Sequence, residues 1–127
     1  MHRIVLLAFA LNACATPIVR DGEWALSNLQ GAPTDAPRPN LTIEGERMSG
    51  FAGCNRLTAQ IETDPNVAAF FRGPVATTRM HCEGAAMDME RALLLALERT
   101  GDARIEDNML IFFDVNNHEI MRFVRAR

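Results

Sequence analysis

The chain has no lysine and no tyrosine: all 13 of its basic side chains are arginine, and a single tryptophan, Trp24, joins seven phenylalanines. Neither absence has a physical explanation in the sequence. Other absences exclude whole classes of function. Acids outnumber bases, 16 to 13, which argues against a nucleic-acid partner and against a polybasic membrane patch. The apolar stretch Ile4 to Ala10 is too short to span a bilayer. There is no glycine-rich phosphate loop, and the three cysteines include no CxxC pair of the redox type. His81 adjoins Cys82, but neighbours on a strand point to opposite faces, so adjacency does not make them a base and a nucleophile. Cys54, His81, Cys82 and His118 match no common zinc spacing. Asp102 and Glu106 read as a solvated face rather than an acid and base pair. No enzymatic activity, metal or cofactor is expected.

What the N-terminus does have is informative. Arg3 supplies a positive flank, Ile4 to Ala10 an apolar core, and Leu11-Asn12-Ala13-Cys14 resembles the lipobox of bacterial lipoproteins. Cleavage after residue 13 would leave Cys14 as the lipidated first residue; an ordinary secretory signal with an incidental Cys14 is the alternative. Ala15 after the cysteine, rather than an acid, resembles the default address of the outer membrane, on its periplasmic face. Residues 14–22 then form a polar, proline-containing tether. Loss of residues 1–13, which carry Arg3 and no acid, takes the formal charge from −3 to −4 and leaves 114 of the 127 residues. That length suits one domain, 23–127, with one core, and a monomer is expected.

With Cys14 assigned to the lipid, Cys54 and Cys82 remain as a pair in a chain expected to fold outside the reducing cytosol. A disulfide between them would close a loop of about 28 residues and stabilise the domain by roughly 3 kcal/mol on the chain-entropy model. Two buried free thiols are the other reading.

Short strands account for most of the domain. Glu23 to Leu29 carries the tryptophan, and Asn40 to Glu44 and Arg47 to Phe51 flank Gly45-Glu46 as a hairpin. Arg56 to Glu62 alternates through Leu57, Ala59 and Ile61. Phe70 to Thr78 is interrupted by Gly73-Pro74, as an edge or bulged strand would be. Arg104 to Glu106, Met109 to Asp114 and Glu119 to Arg125 form a meander whose separators, Asp107-Asn108 and Asn116-Asn117, suit tight turns. Met109 to Val115 is apolar on both faces, so cover is expected on both, as for a barrel wall packed by a helix. Gly31 to Pro39, with three prolines, should be irregular.

Ala85 to Arg99 lacks β-branched residues and is rich in Ala, Leu, Met, Glu and Arg, which predicts the one helix. Ala86, Met89, Leu93, Ala96 and Leu97 give its apolar stripe, Asp88 and Glu90 sit in its first turns, and Gly101 follows its end. Met87 and Met89 read as packing residues rather than copper ligands.

Gly50-Phe51-Ala52-Gly53-Cys54-Asn55-Arg56, followed by Ala76-Thr77-Thr78-Arg79-Met80-His81-Cys82, resembles the META domain, or HslJ-like, family of small bacterial envelope proteins. Trp24, the Gly31 turn, the Leu41 to Phe51 hairpin, the leucine-rich helix and the final meander also fall where that family has them. The chain departs from the family at Ala59, where a glycine is frequent. The resemblance implies a mainly β fold: a small, partly open antiparallel barrel with one helix across it. It implies no established enzymatic activity, and links to heat-induced lipoproteins, motility, virulence and antibiotic tolerance. Read physically, Gly50 and Gly53 permit a bend or bulge, Cys54 is placed to meet Cys82, and Asn55 can bond backbone left unpaired by the bend. If the motif serves a ligand instead, Asn55, Arg56 and Arg79 are the polar groups expected to face it. The leading expectation is a non-enzymatic, membrane-tethered envelope lipoprotein whose small barrel binds or stabilises another envelope component, an envelope protein being the candidate partner. The alternative is a small-molecule carrier or sensor using the barrel interior.

Overall fold

Period-two alternation of apolar and polar side chains builds this molecule, and it can be followed strand by strand in the computed structural model, which describes residues 21–64, 66 and 69–126. The lipobox, Cys14 and all but the last two residues of the tether lie outside that range. The elements are β1 Gly22–Leu29, β2 Asn40–Glu44, β3 Arg47–Phe51, β4 Arg56–Gln60, β5 Ala76–Thr77, α1 Ala85–Arg99, β6 Asp102–Glu106, β7 Met109–Phe113 and β8 Glu119–Arg125. Leu41 and Ile43 of β2, Met48 and Gly50 of β3, and Leu57 and Ala59 of β4 are buried on one face, while their neighbours are exposed or partly so.

All eight strands form one antiparallel sheet, in the order β5-β4-β3-β2-β1-β8-β7-β6, which is not closed. Its inner face and one side of α1 enclose a single core. Trp24, Leu41, Ile43, Leu93, Phe112 and Phe123 are fully buried there, with Phe70 and Phe123 each packed on Phe112 at 5.6 Å between ring centroids. The sheet's two ends approach each other at Phe70. Its C=O accepts from the Glu62 N–H beyond β4 (2.7 Å), and its own N–H donates to Gly101 O beside β6 (3.3 Å).

Three local expectations need correction. Phe70 to Thr78 is not one strand: only Ala76–Thr77 pairs continuously, with an isolated bridge between Ile61 and Phe71. Gly73-Pro74 intervenes, and proline has no N–H to continue a ladder. The β7–β8 connection is also longer than a two-residue turn. Asp114 Oδ1 accepts the N–H groups of Asn116 and His118 (both 2.9 Å), and Asn117 takes the left-handed conformation at φ 64°. Asp107, at φ 56°, does sit in a two-residue turn, since Glu106 pairs with Met109.

The outer face of β7 is covered, but not by the helix. Ile111 is buried between its cross-strand neighbours Arg104 and Arg122. The Arg104 guanidinium carbon lies 3.8 Å from the Phe113 ring centroid, and Arg122 Nη1 lies 3.5 Å from Met109 Sδ. Arginine stems and planar head groups can shield apolar surface while keeping contact with water, which supplies the second cover.

Candidate functional site

The segment Gly50–Arg56 makes the β3–β4 connection, and its glycines have separate causes. A Cβ on Gly50 would lie 2.1 Å from the carbonyl oxygen of Asn40, so only glycine lets β2 and β3 come this close. Gly53 has φ 123°, and a Cβ there would meet Ala86 O at 2.8 Å and Glu90 N at 3.1 Å. The first half of α1 therefore rests directly on the Gly53 backbone. That approach brings Glu90 to Asn55.

Asn55 is the hub of the site. Its N–H donates to Glu90 Oε1 (2.6 Å), and its C=O accepts from Ala52 N–H (2.8 Å) across Gly53-Cys54. Its side-chain Nδ2 donates to Glu90 Oε2 (2.9 Å) and to Met80 O (3.1 Å). Its Oδ1 accepts from the Thr78 hydroxyl (3.0 Å) and from Met80 N–H (2.6 Å). An asparagine amide has two donors and two acceptor lone pairs, and all four are used. Thr78 adds a pair of bonds with the backbone of Arg56, both 3.0 Å. Cys54 and Cys82, with Cα atoms 5.9 Å apart, form a disulfide.

These contacts sort the candidate residues. Asn55 is 3 % exposed and has no bonding capacity left, so it does not face a ligand. Arg56 and Arg79 are exposed, and among the described residues neither pairs with an acid. Both sulfurs are committed to the bridge. An acid near the start of a helix, like Asp88 in the first turn of α1, reads as solvated and favourable to the helix dipole, but Glu90, in the second turn, is not solvated. It is 4 % exposed. Its spacing from Ala86, Leu93 and Leu97 places it on the apolar stripe, and that is the signal available in the sequence.

Three clefts open among the described residues, and none of them is lined by Asn55, Thr78, Met80 or Glu90. A surface cleft of about 560 Å³ lies elsewhere, between α1 and the β7–β8 turn, and is lined by Leu95, Arg99, Asp114 and His118 among others. The Asp114 carboxyl there is held below its ordinary value, chiefly by the His118 N–H, then by the Asn116 N–H and the charges of His118 and Arg99.

Comparison with known proteins fits this architecture. The family model described as META domain matches residues 16–127. The chain belongs to the META domain family. No curated protein sequence matches it significantly. Among solved structures, the NMR structure of a protein from Burkholderia xenovorans has a TM-score of 0.63 at 24 % identity, covering 84 % of this chain and 82 % of the other. At that identity the likeness establishes the fold. Within this META domain, the two segments that carry the family resemblance meet at the Asn55 hub.

Proposed function

We propose that this META-domain protein is a non-enzymatic, envelope-associated binding or stabilising module. It is carried on the periplasmic face of the outer membrane by a lipid on Cys14 and acts as a monomer on another envelope protein. The observation that supports this reading is the use of the motif's polar groups. Asn55, Glu90 and Thr78 bond one another and the backbone, and both cysteines are bridged, so the motif serves to fix a loop rather than to act on a substrate. A carrier role would need room inside the barrel. Trp24, Leu41, Ile43, Phe112, Met121 and Phe123 fill that interior with no exposed surface, which speaks against it.

Fractionation and intact mass spectrometry of the full chain in its native cells test the proposal. The expected result is outer-membrane recovery with acyl mass on Cys14, release of the Cys14→Ala protein to the soluble fraction, and co-purification of one specific envelope protein in mild detergent. Recovery of an unlipidated chain, or of the lipoprotein with no specific partner, would contradict it.

A further inference from the structure

The segment after β5 presents an unusual combination, an exposed chain with no regular structure that is braced from beneath at every second residue. Thr78 is bonded to Asn55 and Arg56, Met80 gives both its N–H and its C=O to the Asn55 amide, and Cys82 is joined to Cys54. The brace rests on Glu90 in the core. What it holds outward is Arg79, His81 and Met80, which is 57 % exposed and one of three large apolar residues so displayed among the described residues. Arg56 adjoins them through the paired backbone of Arg56 and Thr78. Glu83 is the acid nearest in sequence; it is exposed and forms no ion pair among the described residues.

Resting on the binding-module reading, we infer that Arg79, Met80 and His81, together with Arg56, form a preorganised docking surface for an acidic segment of a partner protein. Charge complementarity selects the occupant. Among the described residues Arg56 and Arg79 have no acid within ion-pair distance, which is also true of Arg38, Arg47, Arg99 and Arg125; what sets Arg56 and Arg79 apart is their place at the braced loop, beside the exposed Met80 and His81. A guanidinium fork matches a carboxylate with two parallel hydrogen bonds. Met80 adds a flexible apolar contact able to fit varied side chains. Fixing the loop before binding removes an ordering cost that a mobile loop would incur at the encounter. An anionic bilayer is the poorer match, because a chain with more acids than bases is repelled by it and only one large apolar side chain is displayed here.

Site-specific photo-crosslinking in native cells tests this surface. A photoreactive residue replaces His81 in the full-length protein, and a second version carries it at Val115, 85 % exposed and remote in sequence from the braced loop. The inference predicts an adduct from position 81 to a protein segment rich in Asp or Glu. It also predicts that Arg56→Glu with Arg79→Glu reduces that adduct at least fivefold without changing its abundance or disulfide. An adduct insensitive to those reversals, one mapping to a segment without acids, or one to lipid would overturn it. A protein adduct from position 115 but none from 81 would leave the binding-module reading standing and remove this surface; no adduct from either would count against both.

Discussion

Replacing Asn55 by alanine should remove the brace while leaving the fold's hydrophobic core in place. Four side-chain hydrogen bonds disappear, three to neutral groups and one to the buried Glu90 carboxyl. Net contributions of about 1 kcal/mol for each neutral bond and about 2 kcal/mol for the bond to Glu90 give an upper value of about 5 kcal/mol. Thr78 and Met80 lie close enough to solvent to recruit water, which restores part of the loss, so the expected destabilisation is about 3 kcal/mol. Against a total of roughly 5–15 kcal/mol for a domain, that is a large fraction. Urea unfolding of the oxidised protein, followed by the emission of Trp24, measures it directly. With one buried tryptophan and no tyrosine, the signal reports the core alone. Asn55→Ala and Glu90→Gln should also be strongly non-additive, since both break the same pair. A loss below about 1 kcal/mol, or additive effects, would refute the bracing role.

Other perturbations separate the remaining contributions. Gly50→Ala forces a Cβ into the Asn40 carbonyl and should cost more than 3 kcal/mol or abolish folding, whereas Gly45→Ala, with φ 59° and open space around it, should cost about 1 kcal/mol; thermal melts of the two variants compare them. Reduction of Cys54–Cys82 should lower stability by roughly 3 kcal/mol, read as a shift in the urea midpoint with and without reductant. Because the Asp114 carboxyl is depressed in the folded state, its contribution is present above the ordinary carboxylate range and is lost as pH falls through the lower folded value. The stability gap between the natural protein and Asp114→Asn should therefore narrow on acidification, and a gap that stays constant down to strong acid would contradict the assignment.

Much of this was readable from residue order because local signals and tertiary structure agree. The bounds of β2, β3, α1 and β8 coincide with their predicted segments, where alternation or helical spacing is uninterrupted. Disagreement appears where long-range geometry decides. Phe70-Phe71 looks like the start of a strand, yet it bridges two sheet ends whose proximity depends on the curl of the whole sheet. The cover over Ile111 comes from arginines on β6 and β8, and strand register, not composition, sets them beside it. In the site, the cysteine pairing and the structural use of Asn55 were foreseeable from the motif. The place of Glu90 on the apolar stripe of the helix is legible too, but its pairing with Asn55 is not, because the two are 35 residues apart and only the missing side chain of Gly53 brings the helix within reach.

Amide hydrogen exchange at Met80 tests the central claim, that the motif is a brace holding an exposed loop in one conformation. Its N–H belongs to a residue with a largely exposed side chain in a segment without helix or strand, yet it is bonded to Asn55 Oδ1 at 2.6 Å. The account predicts protection in the oxidised protein approaching that of the Leu57 amide in β4, collapsing in Asn55→Ala. Exchange of the Met80 amide at the rate of an unstructured chain would contradict it.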